Sequence, residues 1–371
     1  MTIGAGPDDV RAEPRRQPEG AAPSPFYIPS LDGIRAVAFL MVFVGHAGWG
    51  HIVPGGLGVT IFFFLSGYLI TTLMRREADR SGTVSLKHFY ARRCLRIFPP
   101  FYLVLGVSTL ATVLFAPADF RPLATLAQAF QLTNYYLILF GREGIPLGLV
   151  VAWSLAVEEH FYLLFPPLYL GLRKWLSRRA QAMTLLALCG AILAWRCLLV
   201  YGFGAGETRT YEGTDTRADS ILFGCILALQ GNPVLDPPRY GLGGRRSGRL
   251  LFVGGLLALL FSLVVRDPRF RETFRYSIQG LALIPIFDAA IRHPDAPLFR
   301  ALNFRWVRFL GVLSYSLYLL HFSILILVGA FTPLPKVATA VVSLALSLVL
   351  SYAIFVLIEQ PFARMRKSFR S

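Results

Sequence analysis

The basic residues of this 371-residue chain alternate with its apolar stretches along the whole sequence. A helix needs about 20 mainly apolar residues to cross the roughly 30 Å hydrocarbon layer of a membrane. Ten stretches approach that length, at residues 31–50, 56–74, 98–116, 149–170, 181–201, 217–230, 250–265, 274–291, 309–330 and 337–358. The pattern predicts an all-α, polytopic integral membrane protein with about ten transmembrane helices.

The distribution of positive charge predicts how the chain sits in the membrane. Of the 37 Lys and Arg residues, 26 lie in the N-terminal region and in every second gap, at 75–96, 171–180, 232–249, 292–308 and 363–371. The other gaps hold 9, and Arg35 and Arg196 lie inside apolar stretches. Short cytoplasmic loops carry the excess of Lys and Arg. We therefore expect a multi-pass protein of the cell membrane with both termini in the cytoplasm.

Composition narrows the class of protein and its partners. Hydrophobic residues make up 55% of the chain and the mean hydropathy is +0.55, which exceeds the usual value for soluble domains. We explain the net charge of +16 by the basic cytoplasmic loops and by their contact with the lipid bilayer, and we expect no nucleic acid partner.

The same pattern divides the chain into regions. We predict a disordered cytoplasmic tail at 1–27, a membrane domain at 28–362 and a basic cytoplasmic tail at 363–371. The cysteine spacing predicts no metal site.

Two connecting segments have a distinctive composition. Residues 75–97 are basic and aromatic, and we expect them to form an amphipathic helix on the inner membrane surface. The external segment 117–148 contains Asn134, Tyr135 and Tyr136, and aromatic residues of this kind occur at membrane interfaces and at sugar sites.

Arg35 and His46 place two ionisable groups on the first span, eleven residues apart. Eleven helical steps return to nearly the same face, about 16 Å further along the axis. Ionisable groups within spans are costly and are candidates for function. The alternative is that Arg35 extends to lipid headgroups while His46 hydrogen-bonds a neighbouring helix.

Further ionisable residues fall at a depth similar to that of His46. Glu158 and Glu159 are adjacent on the fourth span and, pointing about 100° apart, need different partners. Glu158 is predicted to approach His46 and prepare it as a general base, because a carboxylate fixes an imidazole tautomer. Asp219 and His321 also map to the outer half of the membrane.

The remaining polar candidates lie toward the cytoplasm or in the second span. Arg93 and Arg96 are on the side of Arg35, and arginine clusters suit phosphates, although a topology signal or lipid contact explains them equally well. Ser66 has no adjacent base and is predicted to form an interhelical hydrogen bond, with Gly67 allowing close helix packing.

An ordered set of motifs carries a resemblance to a known family. The motifs are PSLDGIRA (29–36) followed by His46, FFFLSGYLI (62–70), FYARRCLRIFP (89–99), WSLAVEEHFYLLFP (153–166), RADSILFG (217–224), SYSLYLLH (314–321) and EQPF (359–362). Across about residues 28–366 the chain resembles the acyltransferase family 3 membrane proteins. Position 160 is His where relatives commonly have Gln.

This resemblance implies transfer of an acyl group, often acetyl, from acyl-CoA to a hydroxyl of a sugar-containing acceptor such as a cell-surface polysaccharide, lipopolysaccharide or secreted glycan. It implies that His46 is the catalytic histidine and that Arg35, Arg93 and Arg96 bind the donor, which we expect to be acetyl-CoA. From its predicted position beside His46, Glu158 is the second catalytic candidate, and no metal is expected. The motifs also contain substrate-binding or supporting residues: Asp32, Ser66, Tyr68, Trp153, Glu159, Asp219 and His321.

Several alternatives stay open at this point. The same chemistry on a small secondary metabolite of the macrolide type is one, and a transporter or flippase with a proton relay is another. The sequence shows no fused esterase-like domain, so a partner transferase is expected to be a separate chain or absent. A homodimer is left open.

Overall fold

The computed structural model describes residues 28–237 and 245–369, and the described chain is helical, with no strand. The predicted disordered tail at 1–27 lies outside the described residues. The helices are α1 (Pro29–Val44), α2 (Gly55–Ser81), α3 (Leu86–Phe115), α4 (Pro122–Ala129), α5 (Thr133–Phe140), α6 (Trp153–Trp175), α7 (Arg178–Cys197), α8 (Glu207–Glu212), α9 (Thr214–Leu229), α10 (Arg245–Val264), α11 (Pro268–Glu272), α12 (Phe274–Arg292), α13 (Pro297–Arg300), α14 (Arg305–Phe331), α15 (Lys336–Ile354) and α16 (Gln360–Met365).

Short segments of other helical geometry extend or join these helices. π-helical turns follow α1, α7 and α15, at Gly45–Trp49, Leu198–Gly202 and Phe355–Glu359. Turns of 3₁₀ helix lie at Pro117–Asp119, Leu149–Ala152, Ala301–Asn303 and Arg366–Phe369.

The ten longest helices of the described chain correspond to the ten predicted spans. Within the described residues, eight segments are long and apolar enough to cross a membrane: those containing α1, α2, α3, α6, α7, α10, α14 and α15. Two helices fall short of this standard. Helix α9 has only 16 residues, and α12 carries Arg275, Asp288 and Arg292. The protein is therefore a polytopic helical membrane protein, and the count of ten spans stays a prediction.

The connections between the long helices gather at two ends of the bundle. Polar contacts that join connections at the first end are Ser30–Asn303, Arg75–Asp236, Arg92–Phe369 and Arg173–Gly82. Those at the second end are Gly48–Lys336, Asn134–Glu212 and Thr210–Glu272. We call these the arginine end and the histidine end, since Arg35 lies toward the first and His46 lies at the second. The arginine end carries most of the basic residues in the connections, although four arginines lie in the connection 266–275 at the histidine end.

Helices α2 and α9 pack closely in the core. A Cβ atom at Gly67 would lie 1.9 Å from the Ile221 carbonyl oxygen, and one at Gly224 would lie 1.9 Å from that of Phe64. Only glycine allows the two backbones to approach so closely. The close packing predicted at Gly67 is confirmed.

The basic segment after α2 differs from its prediction. It does not form a separate surface helix, because residues 86–96 are the first turns of α3, which continues through Pro99 and Pro100. Arg92 pairs with Glu77 at 2.8 Å, and the Tyr90 hydroxyl donates to the Leu163 carbonyl, also at 2.8 Å. These contacts hold the segment against α2 and α6 instead of leaving it on the lipid surface. The region predicted as a C-terminal tail is likewise helical as far as Phe369, whose carbonyl accepts a hydrogen bond from Arg92.

Candidate active site

His46 lies in the π-helical turn that follows α1 at the histidine end. Gly48 in this turn has a φ of +96°, which an L side chain rarely adopts, so glycine is needed for the chain to bend there. The Lys336 ammonium donates a 2.6 Å hydrogen bond to the Gly48 carbonyl and holds the bend against α15. The His46 side chain is exposed at this end of the bundle and is accessible to a substrate.

The polar partner of His46 is the buried His321 on α14. The two rings are stacked with centroids 5.2 Å apart, and His46 Nδ1 lies 2.9 Å from His321 Nε2. His321 Nδ1 faces two backbone carbonyls, that of Tyr318 at 2.8 Å and that of Leu317 at 3.2 Å. His321 is fully buried.

These contacts determine the tautomer of both neutral rings. A carbonyl oxygen only accepts, so His321 Nδ1 carries the proton and donates it. His321 Nε2 is then an acceptor, and His46 Nδ1 must be the donor between the rings. His46 Nε2 is left without a proton and with an available lone pair. This is the form of histidine that acts as a base or nucleophile.

Glu158, which the sequence placed beside His46, makes its hydrogen bond elsewhere. Its carboxylate accepts from the Tyr162 hydroxyl at 2.8 Å and lines a cavity together with Arg35. Helix α6 begins at the histidine end with Trp153, so Glu158 lies about 7.5 Å deeper along the helix axis, toward the arginine end. The prediction that Glu158 orients His46 is therefore wrong, because the residue that contacts the His46 ring is His321.

This cavity is partly open to the exterior and has a volume of about 90 Å³. Its polar lining consists of Arg35, Arg93, Arg96, Glu158, Glu159, Ser66, Ser154, Tyr162, Ser314, Tyr315 and Tyr318. The structure thus brings all three predicted donor-binding arginines to one cavity, along with Ser66, whose hydroxyl lies 3.1 Å from the Tyr162 hydroxyl.

The three arginines differ in their existing partners. Arg35 forms an ion pair with Asp32 at 2.8 Å. The Arg93 guanidinium lies over the Tyr162 ring, 5.0 Å from its centroid. In the part of the chain that the structure describes, neither Arg93 nor Arg96 has a carboxylate within 4.0 Å of its guanidinium nitrogens. Both can therefore bind an oxyanion without first breaking an ion pair.

A series of ring contacts connects the cavity to His46. Phe62 and Tyr318 line the cavity with centroids 5.9 Å apart, and Tyr318 lies 5.7 Å from His321. Tyr318 also binds the Ser154 hydroxyl at 2.7 Å and supplies a carbonyl to His321. Neither Tyr318 nor Tyr162 was singled out from the sequence, because a tyrosine in an aromatic-rich span gives no signal of its own.

Three predicted supporting residues lie outside this site. Asp219 forms a fully buried ion pair with Arg196 at 2.7 Å, so its role is to neutralise that arginine. The Tyr68 hydroxyl donates to Asn232, away from the cavity. Trp153 packs its ring on Tyr211, with centroids 4.8 Å apart.

His160 is also separate from the His46 pair. Its Nδ1 lies 2.7 Å from the Thr214 hydroxyl, and its ring stacks on Tyr135. No group of three or more His, Cys, Asp or Glu side chains within the described ranges has the arrangement of a metal site.

Comparison with known proteins identifies the family of this membrane protein. A family model described as an acyltransferase domain matches residues 28–357. The chain belongs to this acyltransferase family. No solved structure matches it significantly.

Two curated relatives are similar over most of this chain. Peptidoglycan O-acetyltransferase OatA of Listeria monocytogenes is 31% identical over 357 residues, which cover 91% of this chain and 56% of OatA. The relative named putative peptidoglycan O-acetyltransferase YrhL, of Bacillus subtilis, is 33% identical over 332 residues, which cover 85% of this chain and 51% of YrhL. The chain thus spans about half the length of these relatives.

Proposed function

We propose that this protein is a cell-membrane O-acetyltransferase that moves an acetyl group from acetyl-CoA to a sugar hydroxyl of a cell-wall polysaccharide. The observation that carries the proposal is the pairing of an arginine-lined cavity with a histidine whose Nε2 lacks a proton. The named activity of the OatA relative supports a polysaccharide acceptor over a small metabolite. Membership of an acyltransferase family argues against a transporter.

The donor enters from the arginine end, which we assign to the cytoplasm because it carries most of the basic residues. The phosphates of CoA pair with Arg93 and Arg96, since guanidinium groups bind phosphate oxygens in two-pronged contacts. Arg35, already paired with Asp32, lines the same cavity. The apolar cavity wall surrounds the pantetheine arm and excludes water that would hydrolyse the thioester.

The acceptor hydroxyl reaches His46 from the opposite end. Its oxygen attacks the thioester carbonyl carbon while His46 Nε2 takes the hydroxyl proton. The carbon–sulfur bond then breaks, and the departing CoA sulfur receives that proton. In a two-step variant, Nε2 first attacks the carbonyl carbon and the carbon–sulfur bond breaks, which releases CoA as the thiolate. The acceptor hydroxyl then attacks the acyl-imidazole, its proton passes to the thiolate, and Nε2 is regenerated. Both routes need Nε2 unprotonated, which the His321 contacts provide.

The experiment uses the purified full-length protein in proteoliposomes, with acetyl-CoA and a soluble N-acetylglucosamine oligosaccharide. His46→Ala should abolish acetyl transfer, while acetyl-CoA binding by calorimetry stays as in the wild type. His51→Ala is the matched control, because His51 is exposed on the same connection. An active His46→Ala variant would disprove the assignment of the base.

His321→Phe tests the tautomer argument. It keeps an aromatic ring in the core but removes the acceptor for His46 Nδ1. We expect kcat to fall about 10²–10⁴-fold, the usual contribution of a positioned general base, with an unchanged KM for acetyl-CoA. A raised KM with unchanged kcat would place His321 in donor binding instead.

A further inference from the structure

Five polar side chains at the histidine end take no part in the mechanism above. We call them the polar cluster: Gln131, Asn134, His160, Glu212 and Thr214. The Asn134 amide nitrogen donates to the backbone carbonyl of Glu212 at 3.2 Å and to the Thr214 hydroxyl at 3.0 Å. The same hydroxyl contacts His160 at 2.7 Å, and His160 also hydrogen-bonds the backbone of Gln131. The contacts join α5, α6, α8 and α9.

Three side-chain atoms of the polar cluster are buried and have no hydrogen-bond partner in the described chain. They are Gln131 Nε2, Asn134 Oδ1 and Glu212 Oε2. The three residues are 8%, 0% and 4% exposed. Buried polar atoms in folded proteins nearly always have a partner. Three unpaired atoms within one cluster therefore need a partner that the described chain does not supply.

The types of the unpaired atoms indicate the chemistry of that ligand. Gln131 Nε2 is a donor, Asn134 Oδ1 is an acceptor, and Glu212 Oε2 accepts when ionised. A hydroxyl group donates and accepts at once, so a polyhydroxy compound satisfies both kinds of atom. The Tyr135 ring, stacked on His160 at 5.7 Å and only partly buried, offers an aromatic surface beside them.

The polar cluster is linked to the neighbourhood of His46. Arg142 is within electrostatic range of both His46 and the Glu212 carboxylate. The connection between α5 and α6, which contains Arg142, is held against α14. Its Leu147 carbonyl accepts a 2.8 Å hydrogen bond from Ser323, two residues beyond His321. A ligand held by the cluster therefore lies on the side from which His46 is accessible.

We propose that the polar cluster is the acceptor subsite and binds the hydroxyl and amide groups of a sugar next to the one that is acetylated. This inference rests on the proposed function, since it names the residues that would hold the acceptor glycan. It separates the two substrates between the two ends of the bundle, the donor at the arginines and the acceptor at the cluster.

Gln131 provides a variant that tests binding without threatening the fold. Its φ of +58° is the one positive value among the described non-glycine residues. Glycine adopts this conformation readily, so Gln131→Gly removes the donor atom and relieves backbone strain together. Asn134→Leu is the second variant, and it removes the unpaired acceptor. Glu207→Gln is the matched control, because Glu207 is on α8 with a side chain 67% exposed.

The test is calorimetric binding of a soluble N-acetylglucosamine oligosaccharide to the purified full-length protein, without donor. Loss of one hydrogen bond should weaken binding about tenfold in Gln131→Gly and in Asn134→Leu. Glu207→Gln should bind as the wild type does. Thermal unfolding of each variant checks that the fold is retained.

The donor is titrated separately, so that the two proposals can fail independently. Wild-type affinity for the oligosaccharide in both cluster variants would overturn the acceptor subsite, and so would a wild-type protein that does not bind the oligosaccharide. Absence of acetyl-CoA binding and of acetyl transfer would instead overturn the proposed function. Unchanged acetyl-CoA affinity in the cluster variants is the expected result and supports separate donor and acceptor sites.

Discussion

Arg92, Arg93 and Arg96 lie within one turn and a half of α3, yet their surroundings differ. Arg93 and Arg96 line the cavity, whereas Arg92 is held by Glu77 and by the Phe369 carbonyl. If the arginines served only to orient the protein in the membrane, all three would contribute equally. If they bind the donor, only Arg93 and Arg96, which face the cavity, would contribute.

Alanine substitution at these positions separates the two explanations. Arg93→Ala and Arg96→Ala should each raise the KM for acetyl-CoA about 10- to 150-fold, from the loss of about 1.5–3 kcal/mol in a charge-assisted hydrogen bond. The kcat should stay near the wild-type value, since the contact is made equally in ground and transition states. Arg92→Ala is the control and should leave the KM unchanged. Equal effects of all three substitutions would count against the donor site.

Glu212 gives a second residue-level prediction, on stability. Burial raises the pKa of this carboxyl from 4.5 to about 7, with a further increase from Glu207 and an opposing effect of Arg142. A raised carboxyl pKa favours folding while the group is protonated. Its contribution is complete below about pH 4.5, the unfolded value, and is lost as the pH rises through about 7.

The thermal unfolding midpoint in detergent should therefore fall between pH 4.5 and 7. At about 1.4 kcal/mol per unit of pKa, the contribution is on the order of 3 kcal/mol. Glu212→Gln should flatten this dependence, whereas Glu143→Gln, an exposed carboxyl, should not. An identical pH dependence in Glu212→Gln and the wild type would show that Glu212 titrates normally.

At the scale of elements, glycine positions decide how closely α2 and α9 pack. Gly67→Ala would put a methyl group 1.9 Å from the Ile221 carbonyl oxygen, so the helices must separate. We expect a loss of about 1–3 kcal/mol in the free energy of unfolding. Gly190→Ala on α7 is the matched control, since nothing lies within 4 Å of its added Cβ, and it should gain up to about 1 kcal/mol. Thermal unfolding of the two purified variants measures the contrast, and equal midpoints would contradict it.

At the scale of the whole molecule, the separation of basic residues between two ends predicts the orientation. Reporter fusions after residues 90 and 240 should report the cytoplasm, and fusions after 130 and 270 the opposite side. Position 240 itself lies outside the described residues. The fusion after 270 is the most informative, because four arginines lie between residues 266 and 275.

The structure supports the placement of that connection. The Thr210 hydroxyl contacts Glu272, and Arg271 lies 3.8 Å from Glu207, so α11 packs against α8 at the histidine end. A cytoplasmic signal after 270, with the same signal after 90, would mean that the arginine and histidine ends do not face opposite sides of the membrane.

Much of this architecture follows from local sequence. Hydrophobic length predicts the long helices, and charge between them divides the connections into two sets. Both signals act over one segment at a time, so no knowledge of neighbours is needed. The joint appearance of Arg35, Arg93 and Arg96 in one cavity follows from their shared end of the bundle.

The partners of the buried polar groups were decided by tertiary structure. Local periodicity places a residue at a depth and on a face of its own helix, but it does not say which helix that face meets. His46 therefore meets His321, 275 positions away, while Glu158 at a predicted similar depth bonds Tyr162. The sequence by itself determined that ionisable groups sit within the membrane bundle. Only the packing of α1 against α14, which turns the two imidazoles toward each other, determined which nitrogen of His46 is free to react.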